Sequence, residues 1–362
     1  MIEASSYYDL YLLIVTLLTV FTSITYFTYP NRRLLSESRP VHLSGYIISI
    51  FFVFFIGFRP IDIVFADMVN YHDWYFVFWW GKPFKFNLQA ENIFFDNFFS
   101  WLGANYIDIR VFFVLMAAIY FLCAYKAIIK MFPRDSVYGL LAFLAAFSTF
   151  SYGTNGIKAG AAASIFLFAI AYSDRRWLSY LFIFISWGFH HSMIMPIIGY
   201  FACSFVKNPT YYTIFWFFAL AFAVSGFTQF QTFFALYTDA HTAEYLSVGQ
   251  DWGGKTGFRY DFVFYSVIPL LVGWYAIFHR KFDDKGYKFI FNLYMFTNAV
   301  WMLCMYANFT NRIAYLSWFL YPIVLVYPFF KKEFLKHQYQ NLNYVVWFQL
   351  IFTLAMRFIY YG

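Results

Sequence analysis

The chain is expected to be an all-α polytopic membrane protein, on three observations. Of its 362 residues, 62% are hydrophobic and 12% are charged, whereas a soluble domain carries roughly 25% charge. The apolar residues fall in runs close to the roughly 20 residues that a helix needs to cross the hydrocarbon core. The charges cluster between those runs. Transmembrane β-strands would instead read as alternating segments of about 10 residues.

Segments 7–29, 42–58, 107–129, 137–152, 157–173, 210–228, 261–279, 288–307, 311–330 and 343–361 have spanning length or nearly so. The first is flanked by Glu3 and Asp9 and has no early Lys or Arg. It therefore reads as a retained helix rather than a cleavable signal peptide. Cys123, Cys203 and Cys304 lie scattered in apolar segments and read as small core residues. The 54 Phe and 33 Tyr read mainly as lipid-facing surface. A formal charge of +7 is spread over several short loops, which argues against a nucleic-acid footprint.

Cytoplasmic loops are enriched in Lys and Arg. Arg32, Arg33 and Arg39, then Lys130 and Arg134, then Arg175 and Arg176, then Arg280, Lys281, Lys285 and Lys288, then Lys331, Lys332 and Lys336 are expected to share that side. They do so only if 177–206 crosses an even number of times. It is therefore read as a short hairpin, 177–189 and 193–206, with His190-His191-Ser192 at an outer tip. The result is a single transmembrane domain over 1–362, with about 12 membrane segments. Both termini lie outside, with two larger outer loops, 59–106 and 229–260. Lys82, Lys85 and Lys255 sit within those loops, as solvated charges.

Four cations run against this trend, at the outer ends of helices: Arg59, Lys158, Arg259 and Arg312. Ionisable groups at membrane depth are costly and usually face a cavity or a partner, and Arg offers a planar fork for phosphate. The plainer alternative is snorkelling, or pairing with a nearby Asp. Arg59 is followed by Asp62, Asp67, Asn70, Tyr71 and Asp73. On a helix Asp67 and Tyr71 share a face; the plainer alternative is a helix cap at Asp62 and a salt bridge to Arg59. Around Lys158 the run Tyr152-Gly153-Thr154-Asn155-Gly156-Ile157-Lys158 suggests a tight turn at its glycines. Thr154 or Asn155 would cap the next helix, whose N-terminus would attract an anion. Residues Ala159 to Ser164 are small enough for close helix packing.

His190 has the side-chain chemistry of a general base, and adjacent histidines make a poor metal pair. In Asn308-Phe309-Thr310-Asn311-Arg312-Ile313-Ala314-Tyr315, Asn308 or Asn311 would cap a helix on which Arg312 and Tyr315 lie three apart. No Asp-x-Asp pair occurs in the first cluster, so neither metal nor cofactor is expected. A basic outer cavity of this kind suits a lipid-linked diphosphate.

At these residues the chain resembles the EpsG family of bacterial exopolysaccharide proteins, part of the broader Wzy-type polymerases. The resemblance rests on Arg59/Asp67/Tyr71, Asn155-Gly156-Ile157-Lys158, Phe189-His190-His191-Ser192-Met193 and Asn311-Arg312-Ile313-Ala314-Tyr315. Lys158 and Ala159 depart from an Arg-Gln pair usual in that family, which keeps a charge but loses its fork. The resemblance implies a GT-C-like fold and a metal-independent, inverting glycosyltransferase. It would join polyprenyl-diphosphate-linked oligosaccharide repeats into O-antigen, capsule or exopolysaccharide. The site would face the exterior or periplasm from the bacterial inner membrane, and a chain-length regulator could be a partner. The base would be His190, or Asp67 after it. Arg59, Lys158, Arg259 and Arg312 would bind diphosphate, with Asn155, Tyr71, Asn311 and Tyr315 beside the substrate. A flippase for the same lipid-linked sugar is the rival from a non-enzyme class.

Overall fold

A computed structural model describes residues 2–28, 39–235, 257–331 and 335–360. Arg32, Arg33, Lys255 and Lys332 lie outside the described residues, as does most of the expected loop 229–260. The described residues are helical, with no strand among them. In chain order the α-helices are α1 Tyr7–Thr28, α2 Arg39–Gly57, α3 Asp67–Trp74, α4 Ile93–Ala104, α5 Ile109–Met131 and α6 Ser136–Ala145. They continue as α7 Phe147–Thr154, α8 Ile157–Ala171, α9 Arg176–Phe189, α10 Ile194–Phe205, α11 Pro209–Val224 and α12 Gln229–Ala235. The last are α13 Tyr260–Trp274, α14 Lys285–Leu303, α15 Thr310–Trp318, α16 Tyr321–Lys331 and α17 Gln338–Ala355.

Among the described residues five stretches are long and apolar enough to cross a membrane: Ala4–Ile24, Ile109–Met131, Tyr260–His279, Thr310–Lys331 and Gln338–Tyr360. The pair α6–α7 makes a sixth if it counts as one span. Shorter apolar helices lie at His42–Gly57, Ile157–Ala171, His191–Phe205 and Pro209–Val224. The expectation of about 12 segments counts each of these as a crossing and adds α9 and α14, which are not among them. Exposed Leu13, Phe21, Phe51, Phe184, Phe217 and Ile351 give the helices the apolar outer surface that lipid requires.

The chain divides into two compact units, residues 1–193 with 329–362, and residues 194–328. Helix starts follow ordinary capping chemistry. Asp108 accepts from the Arg110 N–H at the start of α5, Asn208 from Thr210 ahead of Pro209 in α11, and Asp284 from Tyr287 in α14.

The first unit turns on a break that composition does not announce. Segment 137–152 reads as one continuous apolar helix, yet it bends by 76° at Ala146, between α6 and α7. A bend frees the last carbonyls of α6, and in an apolar setting each must find a donor. All four do. Gln349 Nε2 donates to the Ala142 carbonyl at 2.8 Å, and Thr149 Oγ1 to Phe143 at 2.5 Å. Tyr11 Oη donates to Leu144 at 2.6 Å, and Thr353 Oγ1 to Ala145 at 2.8 Å. These donors come from α1, α7 and α17, so helices from both ends of the chain lock the break.

The second unit is organised around buried Asn298 on α14. Its Oδ1 accepts from Trp216 Nε1 at 2.9 Å, and its Nδ2 reaches Ser266 Oγ and Ser317 Oγ at 3.1 and 3.0 Å. Trp318 Nε1 also donates to Ser266 Oγ, at 2.9 Å. One amide thus joins α11, α13 and α15, which is how polar side chains bind helices together where water is excluded.

Two expected caps are replaced. Gly156, not Thr154 or Asn155, occupies the N-cap of α8, because α7 runs on through Thr154, whose Oγ1 bonds to the Phe150 carbonyl at 2.9 Å. Gly153 lies inside α7 and Gly156 has φ −77°, so neither uses left-handed backbone. The reason for glycine at 156 is steric: a Cβ there would meet the Tyr152 ring at 2.8 Å. At α15 the N-cap is Phe309 with φ 50°, rather than Asn308 or Asn311.

Removing a donor from the break should destabilise the fold. Tyr11→Phe leaves the Leu144 carbonyl buried without that hydrogen bond, which costs about 1–3 kcal/mol, whereas Tyr211→Phe on an exposed ring should change little. Thermal unfolding of the purified variants in detergent checks the contrast; equal melting temperatures would contradict it.

Candidate functional site

The break positions the first group of polar residues. Arg59 follows α2 and is 3% exposed. Its Nη1 donates to the Ile56 carbonyl and its Nη2 to the Thr154 carbonyl, each at 2.7 Å. The guanidinium lies 5.3 Å from the ring centroids of both Phe65 and Phe113. It thereby ties the end of α2 to the end of α7. Burial lowers its pKa to about 9, which still leaves it charged at neutral pH. Asp62 caps the short 3-10 turn Ile63–Phe65 through the Val64 N–H instead of pairing with Arg59. The Nε of Arg59 is buried without a hydrogen-bond partner.

Directly after Thr154, Asn155 and Gly156 lead into α8, and Lys158 stands on its first turn. The Lys158 ammonium lies 5.3 Å from the Phe95 ring centroid on α4, a cation–π arrangement. Tyr71 on α3 packs against that same ring and against Phe99 and Phe112, all at 5.9 Å between centroids. Asp67 is half-buried one turn earlier on α3. The helical spacing of Asp67 and Tyr71 is therefore as expected, and Phe95 is what brings Tyr71 and Lys158 together.

The histidine turn completes this group. His190 ends α9 in extended backbone, and His191–Met193 form a 3-10 turn. The two imidazoles lie 5.6 Å apart and nearly parallel, at 29°. His191 N–H donates to Asn92 Oδ1 at 2.9 Å, and His191 Nδ1 lies 2.9 Å from Glu91 Oε1. Asn92 is the N-cap of α4, but its side chain makes no cap bond to its own helix. Its backbone N–H is held by Asp96 Oδ2 at 2.9 Å. Burial raises the Asp96 carboxyl above its ordinary pKa; the Asn92 N–H bond, Lys158 and His191 oppose the rise, and Glu91 adds to it. Lys158, Glu91 and His191 thus all act on Asp96.

Glu91, Asn92, Phe95 and Asp96 were not singled out by their sequence. The available signal was an Asn followed by an acidic residue at the start of an apolar helix, a helix-start pattern whose partner at His191 lies 99 residues away. Besides Arg59 Nε, Asn92 Nδ2 and Asn155 Oδ1 are buried in this group without hydrogen-bond partners. Such groups are uncommon in folded proteins.

The remaining candidates belong to the second unit. Arg259 donates through Nε and Nη2 to Asp261 at 2.9 and 2.6 Å and lies 3.6 Å from the Phe262 ring centroid. Its fork is already engaged by a carboxylate, the pairing weighed from the sequence as the plainer alternative. Arg312 is exposed on the first turn of α15, 4.9 Å from the Phe309 ring centroid. Asn311 is exposed beside it, while Tyr315 is 1% exposed and points into the core. Arg312 and Tyr315 are thus one turn apart on α15 but differ in environment. Among the described residues no three His, Cys, Asp or Glu side chains are grouped as a metal site.

A family model described as the EpsG family matches residues 42–362. The chain belongs to the EpsG family. No curated protein and no solved structure matches it. The EpsG match spans both units and every polar cluster described above. Membership suggests a polysaccharide polymerase of the membrane, and the long apolar helices agree with a multi-pass protein.

Close packing of α4 on α9 is what lets Glu91 and Asn92 reach the histidine turn. It depends on Gly188, where a Cβ would overlap the Phe94 ring. Gly188→Ala should cost about 1–3 kcal/mol by overpacking, and Phe94→Ala should remove most of that cost. Melting temperatures of the two single variants and the double variant test this; the same cost in both backgrounds would contradict it.

Proposed function

We propose that this EpsG-family chain is a membrane glycosyltransferase that polymerises polyprenyl-diphosphate-linked oligosaccharide repeats. The observation that carries the reading is the grouping of Lys158, Asp96, Glu91 and two histidines at helix ends in one compact unit. Such a group supplies both halves of glycosyl transfer. A base takes the proton from an acceptor hydroxyl. A cation then meets the negative charge that develops on the departing diphosphate.

In this reading the acceptor oxygen attacks the anomeric carbon of the donor sugar from the face opposite the diphosphate, so the centre inverts and no metal ion takes part. The histidine turn provides the base, with Asp67 as the other acid–base candidate. Lys158 contacts the diphosphate. Arg59, committed to two carbonyls, contributes its field from below, and its unpartnered Nε and the neighbouring Asn155 face substrate. Tyr71 offers a ring for sugar stacking. Within the second unit, Arg312, with Asn311 beside it, is a separate diphosphate-binding candidate, while Arg259 and Tyr315 serve in its packing. The lipid tail enters from the bilayer of the bacterial inner membrane, and the site faces outward.

The test is the surface-polysaccharide profile of a host lacking this gene, complemented with wild type, Lys158→Ala, Lys158→Arg or Arg312→Ala at matched protein levels. Wild type should restore long chains. Lys158→Ala and Arg312→Ala should leave mainly single-repeat product, with polymer lowered by about tenfold or more. Lys158→Arg, which keeps the charge, should retain chains. Loss of all surface sugar, with lipid-linked repeats trapped inside, would contradict polymerisation and favour a flippase.

A further inference from the structure

The two adjacent histidines use their ring nitrogens in opposite ways. His190 Nδ1 accepts the backbone N–H of Ser192 at 3.2 Å. A ring nitrogen that accepts a hydrogen bond carries no proton, so neutral His190 bears its proton on Nε2. In that tautomer the outer nitrogen donates and has no lone pair with which to take a proton from a hydroxyl. His191 is the reverse. Its Nδ1 lies 2.9 Å from Glu91 Oε1. An ionised carboxylate only accepts, so once Glu91 swings into line with the ring N–H, the proton lies on Nδ1 and the lone pair of the neutral ring on Nε2.

The structure builds a holder for this ring. Glu91 and Asn92 are consecutive. Glu91 addresses the imidazole, and Asn92, 1% exposed, accepts the His191 backbone N–H. Asn92 is in turn fixed through its own N–H by Asp96. The carboxylate contact lies off the ring N–H axis. The half-exposed Glu91 side chain has room to rotate into line, as catalytic hydrogen bonds often must in a free enzyme. An acid that holds a histidine in one tautomer and steadies the imidazolium is the arrangement a general base requires.

We propose that His191, held by Glu91 as a positioning residue, is the general base, and that His190 donates a hydrogen bond through Nε2. The assignment rests on the polymerase reading above. In the step, the acceptor O–H bond breaks and its proton passes to His191 Nε2. The acceptor oxygen forms the new bond to the anomeric carbon. The bond from that carbon to the diphosphate oxygen breaks, and polyprenyl diphosphate departs with the electron pair and one more negative charge. Lys158 meets that charge, and the imidazolium next to Glu91 then releases its proton to water.

The experiment uses the full-length protein in liposomes with a polyprenyl-diphosphate-linked repeat unit as substrate, reading kcat and KM for polymer formation. His191→Ala should lower kcat by about 100-fold or more, within the range of general-base loss. His190→Gln, which keeps a donor, should stay within about tenfold of wild type, because it removes one hydrogen bond rather than the base. Glu91→Gln should lower kcat with little change in KM, and Glu91→Asp should recover part of the loss. The Glu91 pair also serves if His191→Ala fails to fold, since that side chain is on the surface. Wild-type kcat in folded His191→Ala, or in Glu91→Gln, would overturn the assignment. Absence of polymer from the wild-type protein would instead overturn the polymerase reading on which it stands.

Discussion

Four backbone carbonyls at the end of α6 govern how the first unit is built. A helix that turns by 76° inside an apolar segment exposes hydrogen-bonding groups that lipid cannot satisfy. Here Tyr11, Thr149, Gln349 and Thr353 satisfy them, from three different helices. The break is therefore a junction where α1 and α17, the first and last α-helices among the described residues, close on α6 and α7. Because α7 must leave at that angle, its end at Thr154 meets Arg59, and the chain re-enters as α8 with Lys158 on its first turn.

From there the site follows by packing. Ser186 Oγ on α9 donates to the Ala162 carbonyl on α8 at 2.7 Å, an approach allowed by the small residues 159–164. Gly188 then admits Phe94, which brings α4 alongside α9. The N-terminus of α4 gives its cap side chain to the histidine turn rather than to its own helix. That diversion forgoes a local hydrogen bond and ties the start of α4 to the backbone of the histidine turn.

Much of this was legible in the sequence, for a physical reason. Each expected apolar segment became helix, because burial in lipid or core demands internal hydrogen bonding whatever the tertiary arrangement. Segment 7–29 became Tyr7–Thr28 and 107–129 became Ile109–Met131. The bend at Ala146 was not legible. No Pro or Gly marks it, and three of its stabilising donors lie more than 130 residues away in sequence. The polar clusters at 59–71, 155–158 and 190–192 were visible because charge in an apolar chain stands out. Glu91, Asn92 and Asp96 were hidden in a long polar loop, and only the fold brings them to His191. Arg259 shows the opposite limit. Its partner Asp261 is two residues away, close enough for the sequence to raise the pairing, yet only the fold shows that Asp261 takes its fork.

The most direct measurement of the central claim is product stoichiometry. The purified protein in sealed liposomes would be given a lipid-linked repeat unit, and free polyprenyl diphosphate would be counted against glycosidic bonds formed. One diphosphate released for each new bond, with lengthening chains, is the expected result. Lipid-linked repeats that cross the bilayer intact, with no diphosphate released, would contradict it.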